Sequence, residues 1–168
     1  MIVSNSSPLM YLTKINKLDL LNNLFKQIVI PKEVYEEVVV RGKEGNFLDA
    51  LKVEKEIKDG WIIVNETILV DKDVEKFSSW IDFGEIAVIN LAKKSKADLI
   101  LIDDSSARVI AESFGFKVKG TLYVLLTAYR NKIISKNEIK YLIKLLVSEG
   151  FRISTEFYAQ ILDEIEKI

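Results

Sequence analysis

Apolar and polar positions along the chain follow two spacings, and their alternation predicts a sheet flanked by helices. Short, mostly apolar runs occur at residues 2–4, 28–30, 61–64, 99–102 and 116–118. Runs of this length are too short for buried helices and are typical of strands covered on both faces. Longer segments with apolar residues at helical spacing lie between them. The pattern therefore predicts a three-layer α/β/α domain with a mostly parallel central sheet.

The chain of 168 residues is expected to fold as one main domain with a helical C-terminal extension. We place the domain at residues 1–150 and the extension at residues 151–168. An apolar stripe recurs at helical spacing in the extension: Phe157, Ile161, Leu162 and Ile165. This stripe is expected to pack on the domain or on a second subunit, so a homodimer is one expected assembly.

Composition narrows the chemistry that the chain can perform, because it contains no cysteine and no histidine. Disulfides, thiol nucleophiles, Cys/His zinc sites and histidine bases are therefore excluded. Catalysis would use carboxylates, lysine, tyrosine or serine, and oxygen-only ligands favour Mg²⁺ or Mn²⁺. The formal net charge is −1, so a nucleic-acid site would be a local basic patch or would act through a metal.

The sequence shows no targeting or membrane-spanning segment. The N-terminal residues lack the charged and apolar regions of a signal peptide, and no stretch approaches about 18 consecutive apolar residues. We therefore expect a cytoplasmic protein with no membrane contact.

The most informative stretch is Leu99–Arg108, where an apolar run ends in two aspartates. Ser105 suits the start of a helix, so Asp103 and Asp104 are predicted between the carboxyl end of a strand and a helix N-terminus. In open α/β sheets, ligands bind at this edge. The alternative interpretation of Asp104 is an ordinary helix cap.

Three further polar side chains are predicted near the same edge. Asn5 follows the first strand and precedes a helix, whose N-cap is predicted at Ser7 because Pro8 follows. Glu37 shares the broad side of a predicted helix with buried valines, and Glu85 lies in the first turn of an unusually apolar helix. Each acid has a simpler alternative role, as a helix cap or on an exposed helix face.

These side chains converge if the first and fourth strands are neighbours. Clustered carboxylates raise one another's pKa unless a cation neutralises them. One or two Mg²⁺ or Mn²⁺ ions would neutralise the cluster, activate water and stabilise a phosphodiester during cleavage. The candidate metal ligands are Asn5, Glu37, Glu85, Asp103 and Asp104.

The order of these motifs resembles that of a known family. The matching segments are residues 2–9, 30–38, 82–92, 101–108 and 118–122. Each segment is short, but their order and spacing together are similar to those of PIN-domain proteins. The similarity is to an uncharacterised PIN-like subfamily related to the toxin ribonucleases of bacterial and archaeal toxin–antitoxin pairs, and it covers residues 1–150.

The resemblance implies a metal-dependent endoribonuclease that acts on single-stranded RNA, with an antitoxin protein as partner if the chain is a toxin. By position, Glu37, Glu85 and Asp104 match the second, third and fourth catalytic acids of the family. Asp103 is an additional carboxylate that would serve instead of Asp104 or beside it. Asn5 stands where the family has its first aspartate, and it offers an amide oxygen but no charge. We therefore expect weakened metal affinity and low or absent activity.

Candidate substrate contacts are Ser6, Arg108 and Thr121. Ser6 would hydrogen-bond a phosphate or a metal-bound water, and helix capping is its alternative role. Arg108 would bind phosphate, with a surface ion pair as the alternative. Thr121 would orient a ligand, with helix capping again as the alternative.

The sequence is therefore compatible with two main functions. The first is a PIN-like endoribonuclease, which the retained acids Glu37, Glu85 and Asp104 favour. The second is a catalytically degenerate PIN-like module that binds RNA or protein, which Asn5 favours. A nucleotide-binding protein is a weaker third interpretation, because no glycine-rich phosphate loop follows the first strand.

Overall fold

The computed structural model describes residues 1–66 and 71–167. Its sheet has five strands: β1 (Ile2–Ser4), β2 (Ile28–Pro31), β3 (Ile62–Asn65), β4 (Leu99–Leu101) and β5 (Val118–Lys119). The strand order is β3-β2-β1-β4-β5, and every neighbouring pair is parallel. The predicted α/β class with a parallel sheet is therefore confirmed, and each apolar run locates its strand to within two residues.

Helices alternate with the strands and form the outer layers of the three-layer α/β/α fold. They are α1 (Ser6–Lys14), α2 (Asp19–Phe25), α3 (Lys32–Tyr35), α4 (Gly42–Glu44), α5 (Leu48–Lys58), α6 (Lys72–Glu75), α7 (Phe83–Ser95), α8 (Ser105–Ser113), α9 (Thr121–Arg130), α10 (Lys136–Ser148) and α11 (Thr155–Lys167). A π-helical segment, Glu36–Arg41, joins α3 to α4. Helix α7 packs across β1, β2 and β4.

The sheet lies at the centre of the core and is covered on both faces. Successive side chains of a strand point to opposite faces, and the neighbours Ile100 and Leu101 on β4 are both fully buried. Ile28 and Ile30 on β2 are also fully buried, and Val29 between them is 8% exposed. The apolar runs are continuous because each strand has protein on both sides.

The strand order places a topological switch point between β1 and β4. The chain leaves β1 toward β2 and β3, then crosses back to β4 and continues to β5. Ser4 pairs with Leu101, and the backbone N–H of Asn5 donates to the Leu101 carbonyl at 2.9 Å. The segments that follow the two strands therefore diverge from adjacent points and leave a crevice between them, where open α/β sheets bind ligands.

Helix α1 begins two residues earlier than predicted. Ser7 was the expected N-cap, and this prediction is wrong, because the helix starts at Ser6 with Asn5 as its N-cap. The cause is the hydrogen bond from Asn5 to Leu101, which keeps the backbone of Asn5 extended at the end of the sheet. The turn into the helix follows at once.

The segment that carries Glu37 is a π-helix, whereas the valine spacing predicted a helix of ordinary pitch. Val34, Val38 and Val39 are buried as predicted, at 5% exposure or less. The π-helical turns fit one more residue into each turn than an α-helix and are frequent at functional sites. Because more residues make up each turn, the side chains that share a face with the valines differ from those of an α-helix.

Helix α11 packs on its own chain. Ile161 is 2% exposed and Ile165 is fully buried. The Tyr129 hydroxyl donates to the Ile165 carbonyl at 3.1 Å, and Arg130 forms an ion pair with Glu164. Lys136 and Lys140 of α10 also form ion pairs with Glu166, so α11 is attached to both α9 and α10 within one protomer.

The stretch 65–73 carries no clear pattern in the sequence. Residues 67–70 lie outside the described residues, while α6 begins at Lys72. In the described part of the chain, no helix has the length and apolar character required to cross a bilayer.

Candidate active site

An acidic cleft of about 530 Å³ opens at the carboxyl ends of β1 and β4, at the switch point of the sheet. The N-termini of α1, α7 and α8 border it, each beginning directly after a residue that lines it. The lining residues are Asn5, Ser6, Ser7, Tyr11, Glu37, Asp82, Glu85, Asp103, Asp104, Ser105, Gly150, Phe151 and Arg152. All five predicted metal-ligating residues therefore face one cleft.

Asn5 and Glu37 approach each other across the glycine that opens α7. A β-carbon built on Gly84 would lie 3.5 Å from Glu37 Oε2, 3.8 Å from Asn5 Oδ1 and 3.3 Å from Asp82 Oδ1. Side-chain oxygens from three separate parts of the chain thus lie near the position that a β-carbon of residue 84 would occupy. The absence of a side chain at this position leaves room for them to converge.

Glu85 is the most strongly perturbed acid of the cleft. Glu85 is only 7% exposed, and the pKa of its carboxyl is raised from an ordinary 4.5 to about 7, chiefly by burial. The negative charges of Asp82, Asp104 and Glu37 contribute to this rise, and a hydrogen bond from the Asp82 backbone opposes it. A cation among these carboxylates would favour the ionised form of Glu85.

Glu85 also holds the start of α7 in place. Its Oε2 accepts the Asp82 backbone N–H at 3.1 Å, and Asp82 Oδ1 accepts the Glu85 N–H at 2.8 Å. This reciprocal capping box confirms the capping role that was the simpler alternative for an acid at this position. Because capping engages only one carboxylate oxygen of Glu85, the other is left for a second role.

The two aspartates after β4 have different surroundings. Asp104 is exposed and caps α8, with Oδ1 accepting the Ala107 N–H at 2.9 Å. Both oxygens of Asp103 accept hydrogen bonds from Thr121, at 2.7 Å from its backbone N–H and 2.6 Å from its hydroxyl. Burial raises the pKa of Asp103, and these two hydrogen bonds and the charge of Arg108 oppose that rise. Asp103 therefore connects β4 to α9, and Asp104 is the freer of the two acids.

The three predicted substrate contacts lie in different surroundings. Ser6 lines the cleft, and its hydroxyl lies 3.4 Å from Asn5 Oδ1. Arg108 lies outside the cleft and donates through Nη1 to the Ile102 carbonyl at 3.2 Å. Thr121 is fully buried with its hydroxyl donated to Asp103. The prediction of direct ligand contact by Thr121 is therefore corrected: this side chain positions Asp103.

A C-terminal strap, Gly150–Arg152, completes the cleft and was missed by the sequence analysis. The Tyr11 hydroxyl lies 3.3 Å from the Gly150 carbonyl, and the Tyr11 and Phe151 rings meet edge to face at 5.0 Å between centroids. These contacts bring Arg152 to the rim of a cleft that is otherwise acidic. Tyr11 and the strap are 139 residues apart in sequence, and no local pattern signals their contact.

The side chains of the cleft fit a hard divalent cation in chemical type. Carboxylate and amide oxygens from Asn5, Glu37, Glu85 and Asp104 are the donors that Mg²⁺ and Mn²⁺ prefer. Burial is the main cause of the raised pKa of Glu85, and the charges of Asp82, Asp104 and Glu37 add to it, so these acids lie close enough to interact. In residues 1–66 and 71–167, however, no three acidic side chains are already close enough to hold one ion. Binding would therefore draw the carboxylates together, with water completing the coordination.

The fold and the cleft define a three-layer α/β/α protein with acidic side chains gathered at the switch point of a parallel sheet. The chain belongs to the PIN-domain family: the sequence model of DUF3368, described as a PIN domain, matches residues 1–167. This match confirms the resemblance and extends through α11. No curated protein and no solved structure matches the chain.

Replacing Gly120 by alanine tests the connection between Asp103 and α9. The backbone of Gly120 is extended, with φ −130°, but a β-carbon there would lie 2.4 Å from Asp103 Oδ1. We expect Gly120→Ala to lower the free energy of unfolding by about 1–3 kcal/mol through overpacking, measured by urea denaturation. In an Asp103→Ala background the same substitution should cost much less. An equal cost in both backgrounds would contradict this assignment.

Proposed function

We propose that this PIN-domain protein is a metal-dependent endoribonuclease that cleaves single-stranded RNA. The observation that carries the proposal is the shared cleft of Glu37, Glu85 and Asp104 at the switch point of the sheet. Membership in a family with a nuclease-like fold supports it. The chemistry of the side chains agrees, since a chain without histidine or cysteine needs another source of an activated nucleophile.

Asn5, Glu37, Glu85 and Asp104 would hold one or two Mg²⁺ or Mn²⁺ ions in the cleft. Such an ion, when bound, would stabilise the negative charge that develops on the phosphodiester during cleavage and would lower the pKa of the attacking water. Glu85 must lose its proton to serve as a ligand, so its raised pKa makes occupancy favour neutral and higher pH. Asp103 would act as a positioning residue, because both of its oxygens are engaged by Thr121.

The second candidate function is a catalytically degenerate module that binds RNA or protein. Asn5 favours it, because this residue is 4% exposed in the cleft and brings no charge to the ligand set. The retained acids favour the enzyme. The two functions differ in one measurable property, which is whether bound RNA is cut.

Several finer expectations stay predictions. They are that the protein is the toxin of a toxin–antitoxin pair, that it binds an antitoxin, that it forms a homodimer and that it works in the cytoplasm. The homodimer has less support from the final helix than expected, since Ile161 and Ile165 are buried within one protomer. Elution as a monomer at micromolar concentration would contradict the homodimer.

Metal-dependent cleavage tests the proposed function directly. Labelled single-stranded RNA is incubated with the protein and Mn²⁺, with and without chelator, beside Asp104→Asn and the control Asp163→Asn. Asparagine also caps helices well, so Asp104→Asn should keep the fold. Asp163 is exposed on α11 and does not line the cleft.

We expect cleavage that the chelator abolishes, that Asp104→Asn lowers by at least about 100-fold, and that Asp163→Asn leaves unchanged. RNA binding without cleavage at any Mn²⁺ concentration would overturn the proposal in favour of the binding module. Cleavage of equal rate in Asp104→Asn would overturn the assignment of the site.

A further inference from the structure

A second groove of about 550 Å³ adjoins the acidic cleft, and its charge is of the opposite sign. We call it the basic groove and define it by Arg108, Lys119, Tyr123, Arg130, Arg152 and Phe157. Among the described residues, Asp103 is the only acid that lines it, and both oxygens of Asp103 are already engaged by Thr121. Four cations thus gather on one surface of a chain whose formal net charge is −1.

The basic groove is continuous with the acidic cleft. Asp103, Ser105, Phe151 and Arg152 line both. The strap that Tyr11 anchors therefore forms the boundary between them, with Arg152 at the junction. A linear polymer bound along the groove would extend directly to the carboxylates of the cleft.

Two of the four cations are free to bind an anion. Arg152 is exposed, and neither it nor Lys119 forms an ion pair with any described residue. Arg130 is paired with Glu164, and Arg108 donates to the Ile102 carbonyl. Lys119 lies 5.5 Å from the centroid of the Tyr123 ring, which keeps a positive charge beside an aromatic face.

Aromatic side chains accompany these cations. Tyr123 and Phe157 line the groove, and Phe157 keeps 49% of its surface exposed although it begins the apolar stripe of α11. Proteins that bind single-stranded nucleic acid without reading its sequence combine two features. Positive side chains contact the phosphate backbone, and the bases stack on aromatic rings. A protein partner would have to present acidic and apolar groups in the same order as these cations and aromatic rings. Nothing in the groove requires a partner of that kind.

We propose that the basic groove binds single-stranded RNA on one side of the phosphate to be cut, with Lys119 and Arg152 on the phosphates and Tyr123 and Phe157 on the bases. This inference rests on the proposed nuclease function for its choice of ligand. It assigns the substrate a path that reaches the cleft past the C-terminal strap and gives α11 a role in substrate binding.

Binding measured without cleavage tests the groove. A fluorescent single-stranded oligoribonucleotide of mixed sequence is titrated with protein in the presence of chelator, at several salt concentrations. The variants are Lys119→Ala/Arg152→Ala and Phe157→Ala. The controls are Arg41→Ala and Phe47→Ala, which remove an exposed arginine and an exposed phenylalanine outside the groove. Thermal denaturation of each variant shows that it is folded.

We expect the double variant to bind about 10-fold more weakly and to lose about 1.4 from the slope of log affinity against log salt, because two phosphate contacts disappear. Phe157→Ala should weaken binding about 5- to 10-fold through lost stacking. Both controls should bind like the wild type.

The failures of the two proposals are distinguishable. If the groove variants bind RNA like the controls while wild-type protein cuts RNA in Mn²⁺, the groove inference is overturned and the nuclease stands. If the groove variants lose binding while no metal supports cleavage, the groove stands and the protein is a binding module. A wild type that neither binds nor cuts single-stranded RNA overturns both.

Discussion

Glu85→Gln is expected to lower metal-dependent RNA cleavage by at least about 100-fold while making the metal-free protein more stable above pH 7. The two effects have one cause. Glu85 places a carboxylate in a cleft where it is 7% exposed and where Asp82, Asp104 and Glu37 add negative charge. Glutamine keeps an oxygen that accepts the Asp82 N–H but carries no charge for a metal.

The pH dependence of stability follows from the raised pKa. The Glu85 carboxyl has a pKa of about 7 in the folded protein and 4.5 ordinarily, so between these values the folded state binds more protons than the unfolded state. The stability of the metal-free wild type therefore falls as the pH rises from about 4.5 to 7 and is then level. At about 1.4 kcal/mol for each pH unit between the two pKa values, this contribution is at most about 3 kcal/mol.

Urea denaturation at pH 5 and pH 8 with chelator measures this contribution. Glu85→Gln should remove most of the fall that the wild type shows between the two pH values. Glu112→Gln is the matched control, since Glu112 is exposed on α8 and does not line the cleft. Parallel pH profiles for the wild type and Glu85→Gln would contradict a buried carboxyl with a raised pKa at this position.

Asn5→Asp is expected to tighten Mn²⁺ binding by on the order of 10- to 100-fold, because it adds one negative charge to the ligand set. The same substitution should destabilise the metal-free protein, since residue 5 is 4% exposed and Glu37 lies across Gly84 from it. Cleavage should rise in parallel with metal affinity at limiting Mn²⁺.

Isothermal titration with Mn²⁺ and thermal denaturation without metal measure the two effects of Asn5→Asp separately. Asn65→Asp adds the same charge at the end of β3, away from the cleft, and should leave Mn²⁺ affinity unchanged. Equal Mn²⁺ affinity in wild type and Asn5→Asp would show that residue 5 is not a ligand and that the missing charge is not limiting.

Local sequence patterns predict those parts of the fold that depend on interactions between residues close in sequence. Continuous apolar runs identify strands covered on both faces, as Ile100 and Leu101 show. Asp82 and Glu85 are spaced for the capping box that forms. The adjacency of β1 and β4, which brings Asn5 beside the acids after β4, needed one further assumption about strand order, and the structure confirms it.

The parts that the sequence could not supply depend on contacts between distant residues. Asp103 is held by Thr121, 18 residues later, so its role cannot be separated from that of Asp104 by local patterns. The strap reaches the cleft through Tyr11, at a separation of 139 residues. The π-helical turns around Glu37 arise where a regular valine spacing predicts an ordinary helix.

Anomalous diffraction from a crystal of the wild-type protein soaked in Mn²⁺ would test the central claim most directly, because it shows where the ion lies and which oxygens hold it. We predict a peak in the acidic cleft within about 2.5 Å of carboxylate oxygens from Glu37, Glu85 and Asp104. A cleft without a peak, at an Mn²⁺ concentration that supports RNA cleavage in solution, would contradict the account.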